Sequence, residues 1–370
     1  LANDNDFTAS PLNGSDGGTT TSVFPDDTLN GVALTPSDVI LTTVTGDTEL
    51  TLDPSTGTIT VAPGTPAGTY TLEYQICERL NPTNCDTATA TVVVSPAAII
   101  ATDDDFTGTP LNGSDGGTTP SVFPNDTLNG SSFPADQVTP SLTSDGGLTG
   151  VTINPDGTLT VPVGTPAGTY PVEYQICEVL NPANCDTAIV TIVVSPPAIA
   201  ATDDDLTGSP LNGSDGGTTP SVFPNDTLNG TGFPDDTVTP AIVGDGGLTG
   251  VVINPDGTLE VPPGTPAGTY PVEYEICEVL NPTNCDTAIA TVVVTPPAIE
   301  ANDNDFSGTL VNGADGGTLP SIFGDDTLNG VAFDPADVTA TVVNDAGLTG
   351  VTINPDGTVV VPPGSIAGTY

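Results

Sequence analysis

Residues 101–200 and 201–300 can be laid over each other without a gap and differ at only 19 positions. The phrase at 154–188, NPDGTLTVPVGTPAGTYPVEYQICEVLNPANCDTA, returns at 254–288 with four substitutions, and its parts recur before and after. A period this long marks a tandem array of whole domains, each large enough for a core of its own. The spacing divides the chain into repeats at 1–99, 100–199, 200–299 and 300–370. Multiplying a domain serves reach or surface coverage rather than chemistry, because one good active site does not need four copies. The repeat therefore points to a spacer or an adhesin and away from an enzyme.

Charge narrows the partners. The chain carries 47 acidic residues, one basic residue (Arg79) and no His, for a formal charge of −46. Phosphate binding needs a basic patch, so nucleic acid is excluded, and anionic membrane surfaces are excluded on the same ground. Without His or Lys there is no Ser-His triad, no Schiff-base lysine and no imidazole metal ligand. Self-repulsion at this charge calls for counter-ions from solvent, and divalent Ca²⁺ is the natural one. The sequence contains no apolar run of 18 residues, so no segment inserts in a membrane as a helix, and no export signal is visible. We read it as a stretch of something longer.

Disorder is the other outcome open to an acidic chain with 43 Gly and 38 Pro. Hydrophobic content of 36%, rich in β-branched residues and falling in alternating runs between turns, argues against it. Within residues 101–200, PSVFPNDTLNG supplies a short strand and a polar turn, while DQVTPSLTS and LTGVTINPDGTLTVP read as strands. Asn154–Gly157 forms a tight turn between two of them. AGTYPVEYQIC and DTAIVTIVVSP are the longest strands. Seven short strands in about 100 residues, with turns every 8–12, is the pattern of an immunoglobulin-like β-sandwich. Prolines such as Pro162 and Pro171 belong at edges, where no ladder donor is lost.

The cysteines come as Cys77/Cys85, Cys177/Cys185 and Cys277/Cys285, always eight positions apart. Tyr170, Val172, Tyr174 and Ile176 alternate onto one face, which places Cys177 on the other. Ala188, Val190, Ile192 and Val194 alternate inward, leaving Cys185 outward with Thr187 and Thr191. Both sulfurs then project to one side of adjacent antiparallel strands, as a cross-strand disulfide requires. Two thiolates without His do not complete a zinc site. Three such disulfides imply an oxidising, extracellular setting.

The spellings DDD, VFPNDTLNG, NPDGT, AGTY, YQICE and a terminal TVVV together resemble the tandem Ig-like or cadherin-like repeats of very large bacterial surface adhesins. YQICEVLNPANCDTA in particular is similar to repeats of secreted Bacteroidota proteins, including gliding-motility adhesins. The resemblance covers the whole chain. It implies an extracellular stalk or filament anchored elsewhere, whose ligand-binding modules lie outside this stretch.

Acidic openings are the best site candidates: Asp4 and Asp6, Asp103, Asp104 and Asp105, Asp203, Asp204 and Asp205, and Asp303 and Asp305. Each falls at or just after an expected junction, and adjacent carboxylates repel unless a cation intervenes. Ca²⁺ takes six to eight oxygens, which Asp, Asn and carbonyls from both sides of a hinge can supply. In cadherin-like proteins calcium at such junctions stiffens the array, and this spelling resembles that usage. Asp27, Asp126, Asp226 and Asp326 could lie nearby; the alternative is a solvated acidic linker. Asp-Thr-Leu at Thr28, Thr127, Thr227 and Thr327, and Asp-Thr-Ala at Thr87, Thr187 and Thr287, resemble the short O-glycosylation motif of Bacteroidota secreted proteins. Asn13, Asn112 and Asn212 stand in Asn-x-Ser sequons. Arg79 is replaced by Val179 and Val279 in the sister copies and reads as incidental.

Repeat four stops before its last two strands and its cysteines. Either the remainder lies on a longer chain, or a neighbour donates the missing strands in a filament. The expectation is an all-β, extended array of Ig-like or cadherin-like sandwiches, the extender of an extracellular or cell-surface adhesin, stiffened by disulfides and Ca²⁺. Its partners would be further repeats or neighbouring copies of the same long chain. The second reading is a repeated module for surface polysaccharide or a partner protein, using the variation between 131–144 and 231–244 as a contact loop.

Overall fold

A computed structural model covers residues 1–370 and contains strands and short 3-10 turns but no α-helix. The chain separates into two compact units, Leu1–Pro197 and Ala198–Tyr370.

In the first unit, the large sheet of repeat one runs in the order Asn5–Asp6, Cys85–Ser95, Gly68–Glu78 and Val39–Gly46. Leu12–Asn13 also pairs with Cys85–Ser95, and both opening segments run parallel to it. A second sheet of Gly18–Thr19, Ile59–Val61 and Leu50–Leu52 closes the sandwich. Repeat two reproduces this arrangement: its large sheet holds Asp104–Asp105, Cys185–Ser195, Gly168–Glu178 and Val138–Ser144. Alternation drives the assembly, because successive side chains of a strand face opposite sides. Val172, Tyr174, Ile176, Ala188, Val190, Ile192 and Val194 are all buried, and Leu159, Val161 and Leu148 meet them from the other side. At about 0.8 kcal/mol per buried CH₂, this alternating set is the main stabilising term of each sandwich.

Asn154–Gly157 is a tight turn, closed by Asn154 N–H to Thr158 C=O at 2.8 Å. Gly157 has a φ of 81°, and a Cβ there would lie 2.6 Å from Ser121 Oγ and 2.9 Å from the Phe123 ring. Glycine is required at that position both by the backbone and by the packing. Pro171 lies inside a long strand rather than near its end. It is tolerated because the neighbouring strand Val138–Ser144 pairs only as far as Glu173, so the outer side of Pro171 faces no ladder.

In the second unit, repeat three forms the same sandwich, with Tyr274, Ile276, Leu248 and Leu259 fully buried. Residues 301–370 form a small sheet of Gly317–Ser321, Thr358–Val361 and Thr352–Ile353, and contribute Thr327–Leu328, which pairs with Ile299–Glu300. Residues 338–344, the counterpart of Val138–Ser144, are not in a strand, and Val343 is 96% exposed. In repeat two the counterpart strand is held by pairing with Gly168–Glu178, and residues 338–344 have no such pairing here.

Candidate functional site

Two features stand out: the joint between successive repeats inside each unit, and a buried cluster of acids under a tyrosine. The joint is built from turn residues. Asn129 sits in the left-handed region at φ 52°, a conformation its short amide tolerates. Asn13 caps its own turn, its Oδ1 accepting the Ser15 N–H at 3.0 Å. Across the joint the two amides are reciprocal. Asn13 Nδ2 donates to Asn129 Oδ1 at 2.8 Å, and Asn129 Nδ2 donates to Asn13 Oδ1 and Asp16 Oδ2, both at 3.1 Å. Ala98 N–H adds a bond to Asn129 Oδ1 at 2.9 Å.

Beside this pair lies Glu178, just inside the disulfide loop and only 1% exposed. Burying a charge is costly unless hydrogen bonds replace its water. Here Asn181 and Asn184 donate to Oε2 at 2.9 Å each, Ala97 N–H at 3.3 Å, and Ser15 Oγ reaches Oε1 at 3.4 Å. Asn181 Oδ1 also accepts Ala67 N–H at 2.6 Å, and Asn184 donates to Ala97 C=O at 2.8 Å. The disulfide loop of repeat two is thus a docking surface for the end of repeat one. A cleft of about 520 Å³ flanks it, lined in part by Asp16, Asp136, Gln137 and Glu178. The second unit repeats the joint: Asn212 donates to Asn329 at 2.6 Å, and Asn329 to Asp215 at 3.2 Å. LNG, which occurs twice in each of the first three repeats, and NPxNC, which occurs once in each, read as turns in the sequence; that recurrence was the only signal of this second role.

The acidic openings do not meet at the joint. Asp104–Asp105 pair with Val190 and Thr191, five residues along the strand from Cys185, or roughly 17 Å from the loop that docks. Strand alternation also turns neighbouring carboxylates apart. Asp103 accepts Ile189 N–H at 2.8 Å, Asp105 accepts Thr107 N–H at 2.9 Å, and Asp104 points inward to Tyr174 Oη at 3.1 Å. Asp203, Asp205 and Asp204 do the same with Ile289, Thr207 and Tyr274. Asp4 and Asp6 bond the amides of Thr89 and Thr8, Asp305 bonds that of Ser307, and Asp303 is exposed. Bonds to Thr107 and Thr207 hold Asp105 and Asp205 below the ordinary carboxylate range. The only group of three His, Cys, Asp or Glu ligand atoms within 4.8 Å of one another is Glu275, Cys277 and Cys285, and its two sulfurs are joined. Of the ten acidic positions, Asp104 and Asp204 turn into their own sandwiches, seven bond backbone amides and Asp303 faces solvent.

What Asp104 does join is Asp126, which is 1% exposed. Tyr174 Oη lies 3.1 Å from Asp104 Oδ2, 3.2 Å from Asp126 Oδ1 and 3.1 Å from Thr102 C=O. One hydroxyl proton cannot serve all three acceptors. Burial pushes Asp104 up to about 7 and raises Asp126; the negative charge of Asp126 adds to the effect on Asp104, and the Tyr174 bond opposes it. Asp204 is pushed up to about 6 in the same way. Burial and the two carboxylates also raise the Tyr174 phenol.

Cys77–Cys85, Cys177–Cys185 and Cys277–Cys285 are bonded, directly opposite each other across the long hairpins with Cα atoms 4.0–4.1 Å apart. Thr87, Thr187 and Thr287 are exposed on the outer face, whereas Thr28, Thr127, Thr227 and Thr327 are half-buried in strand pairs. The Asp of each Asp-Thr-Leu is a buried core acid, so the fold accounts for that spelling. The amides of Asn13 and Asn212 are engaged in the joints.

No family model matches the chain, and no curated protein matches it. Solved structures that are similar include Drosophila N-cadherin EC1-3, at 14% identity over 80% of this chain and 98% of that one, with a TM-score of 0.30. Mouse cadherin-23 EC22-24 aligns at 14% identity over 80% of this chain and 96% of that one, TM-score 0.25. The human desmocollin-1 ectodomain aligns at 11% identity over all of this chain and 74% of that one, TM-score 0.24. At these TM-scores the likeness is one of repeated all-β units and carries no further argument.

Proposed function

We propose that the chain is a structural extender of an extracellular adhesin or surface filament of the Bacteroidota type, with further repeats or copies of the same chain as its neighbours. The observation that supports this is the joint. Its Asn–Asn–Asp contact occurs in both units, and it uses residues that each repeat carries at both ends. A joint of directional hydrogen bonds resists bending at modest energy, about 1 kcal/mol net per bond. The three disulfides suit an oxidising exterior, and Thr87, Thr187 and Thr287 are the positions proposed to carry O-glycans.

Calcium takes the lesser part of diffuse counter-charge to the 47 acids. Small-angle scattering of the chain and of its Asn129→Ala/Asn329→Ala variant, each with and without millimolar Ca²⁺, tests the reading. The expected result is a broader range of particle dimensions in the variant and little effect of Ca²⁺. Identical curves for chain and variant would remove the joint as the stiffening element, and a Ca²⁺-dependent lengthening would restore a metal hinge. A polysaccharide-binding reading has one foothold, the 520 Å³ cleft with its Ser, Asn and Gln lining, and a glycan array on the intact chain addresses it.

A further inference from the structure

The only basic side chain in the molecule sits at an exposed sheet edge. Val39–Gly46 is the last strand of the large sheet in repeat one, and nothing pairs with its outer side. Arg79 N–H donates to Asp38 C=O at 2.9 Å, so residue 38 faces the sheet and residues 39, 41 and 43 turn their backbone groups outward. The guanidinium curls back over this edge: Nε donates to Ser37 C=O and Nη2 to the outward Val39 C=O, each at 2.9 Å.

Repeats two and three treat the same edge differently. Val179 and Val279 replace Arg79, and both are about half exposed. Pro140 and Pro240 stand where repeat one has Leu41, each opposite the equivalent isoleucine: Ile76, Ile176 or Ile276. Proline removes the outward N–H at that position. Among the three repeats whose long hairpin is present, proline stands where the arginine is missing and is absent where the arginine is present. An unguarded edge of β-branched residues is a template for another strand, and charge or proline is the usual remedy.

We propose that Arg79 guards the outer edge of repeat one against strand addition by the same edge of a second copy, the part that Pro140 and Pro240 play in repeats two and three. The edge is self-complementary, since each copy offers the outward N–H and C=O of Leu41 and Thr43 in a run, VILTTVT, free of charge and proline. Arg79 occupies the first outward carbonyl and holds a solvated charge where the second strand would lie.

Sedimentation velocity of the full chain tests this. Arg79→Val, the residue of the sister repeats, should strengthen self-association roughly tenfold, equivalent to one or two edge hydrogen bonds. Adding Thr43→Pro, at an exposed position with an outward N–H, should return the protein to the parent's behaviour. Pro140→Leu should open the edge of repeat two in the same way, and Val179→Arg in that background should close it. Slowed exchange of the Leu41 and Thr43 amides in associated Arg79→Val, with an unchanged melting curve, would place the contact on the edge. If Arg79→Val and Pro140→Leu both sediment like the parent, or if the second substitutions fail to reverse association, the guard assignment is wrong.

Discussion

Repeats one and two share a fold, a disulfide and a buried tyrosine, yet differ at the position facing that tyrosine. Repeat one places Asn5 there, whose Nδ2 donates to Tyr74 Oη at 2.7 Å and to Asn3 C=O at 3.0 Å. Repeat two places Asp104, which brings an acceptor to a site already holding the Asp126 carboxylate. The amide supplies a proton permanently; the acid supplies one only when it is protonated. At this site the two domains therefore differ by a single buried hydrogen, and stability should depend on pH in one and not the other at this position.

The largest effect follows from that difference. Asp104 ionises near pH 4 in the unfolded chain and is pushed up to about 7 in the fold. The folded state thus holds a proton that the unfolded state has released. This contribution is fully present below about pH 4, is lost as pH rises to 7, and is absent above. Discounted for partial exposure, this share is on the order of 3 kcal/mol for repeat two, and Asp104→Asn should remove it, leaving the smaller share of Asp126, which burial also raises. Urea titrations read repeat by repeat through hydrogen exchange, from pH 4 to pH 8, provide the measurement. Equal slopes for the parent and Asp104→Asn would break the comparison.

The reciprocal change is Asn5→Asp. It should give repeat one the slope of repeat two and cost about 2 kcal/mol at pH 8, where the new carboxylate faces Asp27 unprotonated. An unchanged repeat one would show that the surroundings, and not the one residue, set the difference.

Disulfide removal sharpens the contrast from the other side, because the loop is common to both repeats. Cys77→Ser/Cys85→Ser and Cys177→Ser/Cys185→Ser should each cost about 2–3 kcal/mol in their own repeat. A markedly larger loss in repeat two would mean that its docked loop, with Glu178 buried, carries more than the crosslink.

The smallest effect is expected at the joint. Asn129→Asp removes a donor and adds a charge beside Asp16, costing about 1 kcal/mol of docking and leaving the cores intact. Faster exchange at Ala98 with no change at Val172 is the expected pattern. Protection lost throughout repeat two would instead make Asn129 a folding residue.

The strands, the hairpins and the cysteine pairing were legible because each depends on alternation and turn chemistry, which are local. YPVEYQIC and TAIVTIVV announce which side chains face inward before any partner is known. The partners of the acidic openings were not legible, for an equally physical reason. Three aspartates in a row look like a cluster, but a strand sends neighbours to opposite faces, and each found a separate partner.

Arg79 read as incidental because nothing nearby in sequence reveals that it reaches Ser37 and Val39. The repeat, its sandwich class, its lack of His and Lys and its disulfides were therefore determined by sequence alone, since periodicity, composition and spacing are properties of the chain itself. Which acid is buried beside which tyrosine, which turn docks on which loop, and which edge needs a guard were decided only in the tertiary structure. Those depend on groups 24 to 116 residues apart meeting away from water, where a single proton or a single amide changes the balance.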